Sequence, residues 1–261
     1  MRSELISVPG DPARPDEDYA SLGLPASGQG GSLVVLDGVT PPSTDYACLH
    51  SVPWFTARLG GSLHELSVSR RDLTLTEVLA QAILRTADAH SATCDLSHPR
   101  TPQATVALAR WSPESVEYLV LSDSALLVES PAGEVTPLLD DRLSRVPRAT
   151  LTSHTATDAT LRNKEGGFFT AAADPSVASR AVTGTLSRSD VRALAALTDG
   201  ATRWTDKFHE GDWTALFTLV RKEGGQALID RVRALELADT ERVFLGRSKQ
   251  HDDATVAYVE L

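Results

Sequence analysis

Residues 33–39 read Leu-Val-Val-Leu-Asp-Gly-Val, a compact apolar run that ends in an Asp-Gly pair. Four successive aliphatic side chains are typical of a strand buried on both faces, and Asp-Gly is typical of the turn that follows it. A carboxylate therefore stands at the exit of a buried strand. The same pattern recurs at residues 191–200, where an apolar run ends in Asp199-Gly200.

Two helices are predicted after each of these two apolar runs. Apolar side chains at helical spacing predict helices from about Val52 to Ser67 and from Thr74 to about Asp95. Thr74 and Glu77 have the spacing of a capping box, which favours a helix start there. Two more helices are predicted in the last third of the chain, at residues 213–222 and 226–237.

Strands are predicted from short β-branched or apolar runs at residues 105–110, 116–121, 125–129 and 252–259. The first three are close together along the chain, so we expect them to form an antiparallel meander. The segment before Ser32 is rich in Pro, Gly, Asp and Ser, which predicts loop with at most a short strand. The polar stretch from 142 to 166 predicts a surface loop or an insertion.

The composition restricts the classes of function. The chain has 261 residues, of which 41% are hydrophobic, so it can bury a core. Its formal net charge of −10 repels the phosphates of nucleic acid. No apolar stretch approaches the about 18–20 residues of a membrane span. We expect a cytoplasmic protein that is a monomer, binds neither nucleic acid nor membrane, and folds as a single domain over residues 1–261. Its four Lys against 21 Arg indicate a GC-rich, bacterial source.

Acidic residues lie beside several of the predicted strands. Asp37, Asp199 and one of the pair Asp252-Asp253 adjoin buried strands, and Glu17-Asp18 and Asp123 lie next to strand or turn signals. Any single Asp-Gly is most often a simple turn. Several acids close together, however, would raise one another's pKa values unless cations neutralise them, and carboxylate oxygens suit Mg²⁺ or Mn²⁺.

The order of these motifs resembles the metal-dependent protein phosphatases of the type 2C (PPM) family. Arg14-Pro15-Asp16-Glu17-Asp18 is similar to the family's opening motif, an Arg followed by Glu-Asp. The other motifs that are similar to those of the family are, in chain order, LVVLDGV at 33–39, TPQATVALA at 101–109, LSDSALLV at 121–128, LTDGAT at 197–202 and DDATVAYV at 252–259.

The resemblance implies an α+β fold in which two antiparallel β-sheets pack as a sandwich with helices on both outer faces. It also implies a serine/threonine protein phosphatase that hydrolyses phosphoserine and phosphothreonine esters of a phosphorylated protein substrate. The nucleophile would be a water activated at a binuclear Mn²⁺ or Mg²⁺ site. The alternative is a catalytically silent relative that keeps the fold and binds a regulatory partner.

By position, the resemblance also assigns roles to individual residues. Asp37 would bridge both metal ions, and Asp199 and Asp252 would complete the protein ligands of one ion. Glu17 and the Gly38 carbonyl would serve the second ion, with Asp18 behind them. The remaining roles would be a third, weaker ion held by Asp123 together with Asp199, and contact with the substrate phosphate by Arg14.

Three positions depart from the family pattern. Residues 39–42 read Val-Thr-Pro-Pro where the family usually has further glycines, and prolines stiffen the backbone there. Arg14 stands one residue closer to the Glu-Asp pair than is usual. Asp253 occupies the position of an Asn, so Asp252 is the predicted ligand and Asp253 a rival.

The two cysteines offer a second constellation. We expect Cys48 and Cys94 to be reduced in a chain of this type. His90, Cys94 and His98 are spaced by four and could in principle bind zinc. They supply three ligands only, they drift around the predicted helix, and Pro99 ends it.

Overall fold

The computed structural model describes residues 2–41, 47–147, 150, 157–158, 160–246 and 248–261. Within these residues ten strands form two five-stranded sheets. The strands are β1 Ser3–Val8, β2 Tyr19–Gly23, β3 Gly31–Leu36, β4 Val106–Trp111, β5 Ser115–Leu121, β6 Ala125–Glu129, β7 Val135–Leu138, β8 Val182–Ser187, β9 Ala193–Leu197 and β10 Ala254–Glu260. The α-helices are α1 Val52–Ser69, α2 Leu75–Asp88, α3 Arg142–Arg145, α4 Asp199–Asp206, α5 Trp213–Glu223 and α6 Gly225–Ala238.

Both sheets are antiparallel throughout. One sheet has the order β1-β10-β9-β6-β7 and the other has the order β2-β3-β4-β5-β8. Strand β3, the apolar run on which the sequence analysis began, is buried along its whole length. Its two faces serve different cores, because Leu33 and Val35 lie between the sheets whereas Val34 and Leu36 face a helical layer.

The helices cover the outer faces of the two sheets. Helices α1 and α2 pack on the sheet that contains β3, and α5 and α6 pack on the sheet that contains β9. A third apolar core fills the space between the sheets. The layers therefore follow the order helix, sheet, sheet, helix, which confirms the predicted α+β sandwich.

Three of the four predicted helices agree with the structure to within two residues at each end, whereas α2 has the predicted start but not the predicted end. Thr74 and Glu77 form the capping box, with the Thr74 N–H donating to Glu77 Oε2 at 2.8 Å and the Glu77 N–H donating to Thr74 Oγ1 at 3.3 Å. Helix α2 ends at Asp88 rather than near 95, and the chain continues in turns, one of them closed by the Cys94 N–H on the His90 carbonyl at 3.0 Å. These turns change which residues His90 and Cys94 can reach.

The prediction of loop before Ser32 is wrong, because the segment forms β1, β2 and the first residue of β3. Strands β1 and β2 are the outer strands of their sheets. Their residues are only half-buried or exposed, so neither strand carries the continuous apolar run that marks a buried strand. Turn-forming residues separate the two strands, so the sequence pattern of this segment indicates loop rather than strand.

The predicted meander is correct only in part. Strands β4 and β5 form a hairpin in one sheet, but β6 pairs with β7 and β9 in the other. The chain crosses between the sheets at residues 122–124, where Ser122 adopts a left-handed backbone with φ of 68°. This reversal directs Asp123 to the end of the sandwich.

Two further expectations concern segments without strands. The predicted loop at 142–166 lies partly outside the described residues; its described part begins with the short helix α3. Among the residues that the structure describes, none of the helices combines the length and the apolar character needed to cross a bilayer.

Candidate active site

The acids meet because strand ends from both sheets meet at one end of the sandwich. In an antiparallel pair the exit of one strand lies beside the entrance of its partner. Leu36 at the exit of β3 pairs with Tyr19 at the entrance of β2. Leu197 at the exit of β9 pairs with Val256 near the entrance of β10 and with Ala125 at the entrance of β6. The acids that flank these ends are, in chain order, Glu17, Asp18, Asp37, Asp123, Asp199, Asp252 and Asp253.

Asp37 is held by its backbone at the exit of β3. Its N–H donates to Thr105 Oγ1 at 3.2 Å, and its carbonyl accepts from the Thr105 N–H at 2.9 Å. Glycine is required at position 38, because a Cβ there would lie 2.4 Å from the Glu17 carbonyl oxygen. The Asp-Gly pair therefore does more than turn the chain: it lets the Glu17 backbone approach Asp37 closely.

Asp37 lies at the electrostatic centre of the acids. Burial raises the pKa of Asp37 well above its usual value, and the charges of four other carboxyls, led by Asp199 and Asp18, raise it further. Burial, followed by Asp123 and Asp252, raises the pKa of Asp199 to about 7. Carboxyls that raise one another's pKa values in this way lie near one another, and they repel unless a cation or a proton intervenes. We call this group, which consists of Glu17, Asp18, Asp37, Asp123, Asp199 and Asp252, the acid cluster.

Asp18 connects the two sheets. Its Oδ2 accepts hydrogen bonds from Thr255 Oγ1 at 2.7 Å and from Thr198 Oγ1 at 2.9 Å. Thr198 directly follows β9 and Thr255 lies in β10, so both threonines belong to the other sheet. Burial raises its pKa well above the usual value despite these hydrogen bonds. The other oxygen, Oδ1, is buried and has no hydrogen-bond partner among the described residues. A buried carboxylate oxygen without a partner is costly, and a bound cation would satisfy it.

The two terminal acids have different surroundings. Asp253 accepts the Gly10 N–H at Oδ1 and the Glu17 N–H at Oδ2, both at 2.7 Å, and so anchors the turns that follow β1 and precede β2. Asp252 instead faces the cluster, where it raises the pKa of Asp37 and Asp199. Its oxygens contact two cationic side chains, Arg203 at 3.0 Å and Lys249 at 2.7 Å.

A buried ion-pair network lies behind Asp252. Arg203 on α4 is 3% exposed and pairs with Glu236 on α6, which is fully buried. Glu236 also contacts Arg233 at 2.9 Å and His251 at 2.6 Å. Arg203 therefore links the carboxylate of Asp252 to a fixed charge in the helical layer, which restricts where that carboxylate can lie.

Asp123 follows the left-handed Ser122, whose hydroxyl donates to Asp123 Oδ1 at 3.1 Å. The Ser122 N–H donates to the buried Asp140 at 2.8 Å, which supports the unusual backbone from the other side. Burial raises the pKa of Asp123, while the more distant charges of Arg162 and Lys207 oppose the rise.

A cavity of about 610 Å³ opens beside the acids and is lined by Arg14, Glu17, Asp252 and the N-cap and first residues of α1, among others. The guanidinium of Arg14 is 76% exposed at its mouth and lies 3.6 Å from Asp11. Such an exposed pair is weak, so Arg14 is free to contact an anion that enters.

Lys249 is a further site residue, and no motif in the sequence predicts it. Its ammonium donates to Asp252 Oδ1 and to Thr40 Oγ1, both at 2.7 Å, on the wall of the same cavity. Burial lowers the pKa of Lys249, but the charges of Asp252 and Glu17 outweigh it and the net pKa is raised. Thr40 in turn donates to Glu17, so the segment that departs from the family pattern touches the cluster directly. A single Lys in a polar loop carries no sequence signal for this role.

Asp16 is a second residue near the site to which the sequence assigns no role. One carboxylate oxygen from each of Asp16, Asp18 and Asp253 lies within 4.8 Å of the other two, a spacing that could hold a cation. Asp16 accepts the Ser7 hydroxyl at 2.5 Å and the Asp18 N–H at 2.9 Å. Because Asp16 stands beside the Glu17-Asp18 pair, the motif could have indicated it.

Comparison with known proteins adds a family and a fold. A family model described as "Protein phosphatase 2C" matches residues 15–233. That range covers most of the chain. No curated protein gives a significant sequence match.

The solved structures that resemble this chain are distant in sequence. The serine/threonine phosphatase Stp1 from Staphylococcus aureus is 13% identical, with a TM-score of 0.60 over 100% of this chain and 95% of that one. The Mycobacterium tuberculosis serine/threonine phosphatase PstP/Ppp is 16% identical, with a TM-score of 0.58 over 100% and 98%. PppA of Pseudomonas aeruginosa is 15% identical, with a TM-score of 0.57 over 99% and 96%. At these identities the likeness shows the fold.

Proposed function

The chain belongs to the protein phosphatase 2C family, an enzyme family of serine/threonine phosphatases, and we propose that it uses the acid cluster as a binuclear Mn²⁺ or Mg²⁺ site. The substrate would be a phosphoserine or phosphothreonine ester in a protein. The observation that carries the proposal is the convergence of acids from both sheets around Asp37.

Three features suit divalent cations at this site. The available donors are carboxylate oxygens, which Mn²⁺ and Mg²⁺ prefer. The buried Asp18 Oδ1 lacks a hydrogen-bond partner among the described residues. The carboxyls also raise one another's pKa values, and a cation relieves that repulsion. The residues present therefore fit the metal ions that the family implies.

The roles of the individual acids are those that the resemblance to the family implies. Asp37, whose pKa is raised by the charges of four other acids, would bridge two ions. Asp199 and Asp252 would serve one ion, and Glu17 and the Gly38 carbonyl would serve the other. Asp18 would hold the site from behind through its two threonines, and Asp123 with Asp199 would hold a third, weaker ion. When bound, the ions would lower the pKa of a water and neutralise the phosphoryl oxygens.

The chain's own residues would bind and orient the substrate. Arg14 at the cavity mouth offers a planar, exposed guanidinium that suits a phosphate dianion. Lys249 adds a second positive charge on the cavity wall, 2.7 Å from Asp252. A cavity open to solvent, with anion-binding side chains at its rim, favours a phosphorylated side chain on a protein surface over an enclosed small molecule.

The alternative of a silent scaffold finds no particular support. Thr40 in the altered segment at 39–41 donates a hydrogen bond to Glu17, so this segment contacts one of the predicted metal acids. Buried like charges are costly to keep without a ligand. A cytoplasmic location, a monomeric state and a single domain stay predictions.

The test is phosphate release from a phosphothreonine peptide with Mn²⁺, with Mg²⁺ and with excess chelator. We expect release that requires one of the cations, stops with chelator and returns when the cation is restored, because the attacking water would depend on the ions. An Asp37→Asn chain provides the inactive control. Turnover that persists undiminished in excess chelator would refute the proposal.

A further inference from the structure

Two cysteines and two histidines meet at one end of the helical layer formed by α1 and α2. Cys48 and His50 lie just before α1, and His90 and Cys94 lie in the turns after α2. One ligand atom from each of the four lies within 4.8 Å of the other three. We propose that these four side chains bind one Zn²⁺ ion in a structural site that is separate from the carboxylate cluster.

The distances between the ligand atoms match tetrahedral zinc. Bonds of about 2.3 Å to sulfur and 2.05 Å to nitrogen would separate a sulfur from a nitrogen by about 3.6 Å and two sulfurs by about 3.8 Å. Three of the four sulfur to Nδ1 distances are 3.3 Å for His50 to Cys94, 3.5 Å for His90 to Cys48 and 3.7 Å for His50 to Cys48. The two sulfurs are 3.1 Å apart and would need to separate by about 0.7 Å.

The surroundings orient the ligand side chains and supply one backbone hydrogen-bond donor to each sulfur. Trp54 on α1 stacks on the His50 ring with centroids 3.9 Å apart and lies 5.3 Å from the His90 ring. The stacking restricts the His50 ring, whose Nδ1 faces both sulfurs, and the Nδ1 of His90 faces Cys48. Backbone N–H groups donate to each sulfur, from Leu49 to Cys94 and from His50 to Cys48, both at 3.4 Å. Donors of this kind stabilise a deprotonated sulfur, as hydrogen-bond donors to metal-bound ligands do.

The donor set points to zinc rather than to the metals of the carboxylate cluster. Two sulfurs and two nitrogens in tetrahedral reach are typical of zinc, whereas Mn²⁺ and Mg²⁺ prefer oxygen. With four protein ligands the site has no open position, so its role would be structural.

A Cys48–Cys94 disulfide is the rival explanation, since the sulfurs are already close. It would require their separation to fall from 3.1 Å to about 2.05 Å, and it would leave the two imidazoles that face the sulfurs without a role. Zinc instead uses all four side chains at separations near those observed. The rival predicts a covalent link and no metal, so the two can be distinguished directly.

The zinc site would restrict the position of the residues at the start of α1, beside the cavity. It joins the residues before α1 to those after α2, and Ser51, Val52 and Pro53, which begin α1, line the cavity wall. Ser51 also caps α1 by accepting the Trp54 N–H at 3.3 Å. A bound zinc ion would thus hold one wall of the cavity in place from a distance.

The test uses the full chain, prepared reduced, with Co²⁺ as a spectroscopic probe and Zn²⁺ as its competitor. We expect one thiolate-to-cobalt charge-transfer band with the strong visible bands of a tetrahedral ion, and the loss of both at one equivalent of Zn²⁺. Cys94→Ser should weaken Zn²⁺ binding at least about tenfold. His98→Ala is the matched control: His98 is four residues from Cys94 but instead accepts the Arg100 N–H at 3.2 Å, so it should change nothing.

The outcomes separate zinc from its rival and from the proposed phosphatase activity. A reduced wild-type chain that shows no thiolate-to-cobalt band would overturn the proposal. So would a chain that is isolated with a Cys48–Cys94 disulfide and that, after reduction, binds Co²⁺ only through oxygen ligands. Retention of full affinity in Cys94→Ser would do the same. Because the wild-type spectrum needs neither a variant nor a substrate, the test stands if a variant misfolds or if the chain hydrolyses nothing.

Discussion

Replacing Arg203 by Met should destabilise the chain and disturb the acid cluster together. Arg203 is 3% exposed and donates to the fully buried Glu236 and to Asp252. Removing one partner of a buried ion pair costs about 3–5 kcal/mol, because the other charge is left in a low dielectric. Glu236 keeps Arg233 and His251, so we expect the lower end, about 3 kcal/mol.

At roughly 2–4 °C for each kcal/mol in a chain of this size, Tm should fall by about 6–12 °C. The assay is thermal unfolding by circular dichroism, with chelator and again with Mn²⁺. The freed Asp252 should also raise the Mn²⁺ concentration that half-saturates activity, since the carboxylate loses the contact that positions it.

The matched control is Arg231→Met on α6, which makes the same substitution in an exposed pair with Glu223. Exposed pairs contribute little, so its Tm should change by under about 2 °C and its Mn²⁺ requirement should not change. If Arg203→Met melted within 2 °C of Arg231→Met, the buried network would not support the site and the reasoning would fail.

Three further changes test individual acids and the missed lysine. Asp37→Asn should abolish phosphate release yet raise the Tm of the chelated chain by about 2–4 °C, because it removes a charge that four carboxyls repel; a lower Tm would place Asp37 outside the cluster. Asp252→Asn should reduce kcat far more than Asp253→Asn, whose main loss is one of two backbone hydrogen bonds and hence stability; the reverse order of kcat would assign the ligand to Asp253. Lys249→Met should lower the Mn²⁺ concentration needed for activity, since the ammonium competes for Asp252, and should raise KM for the phosphopeptide; an unchanged metal requirement would show that the ion pair opens at no cost.

The buried strands and their acids were predictable because both signals are local. The run at 33–39 contains its own strand, its turn and its carboxylate, and the residues at 191–200 repeat the pattern. The antiparallel pairing then brings Asp37 and Asp199 to the same end of the sandwich. The motif order supplied the rest of the acid list.

The outer strands could not be predicted in the same way. A strand such as β1, at a sheet edge and half-buried, has little apolar content, and its pairing with β10 joins residues about 250 positions apart. The crossing at Ser122 was hidden for another reason. Its left-handed backbone is stabilised by Asp140, which lies 18 residues further along the chain.

The cysteine and histidine cluster shows the same limit. The spacing of four residues places His90, Cys94 and His98 together on one continuous predicted helix. The helix ends at Asp88, so the turn directs His90 and Cys94 toward Cys48, which is 42 residues from His90, rather than toward His98. Spacing along a chain cannot indicate ligands that a fold assembles from two segments.

The most direct test of the acid cluster is a melt of the chelated wild-type chain with and without Mn²⁺ at matched ionic strength. A single site at a free ion concentration about 100 times Kd adds about 2.7 kcal/mol, which predicts a rise in Tm of about 5–10 °C. The rise should be largely lost in Asp37→Asn, which keeps the cysteine and histidine cluster intact. A wild-type Tm that Mn²⁺ moves no further than matched salt does would contradict the account, because the acids would then not form a cation site.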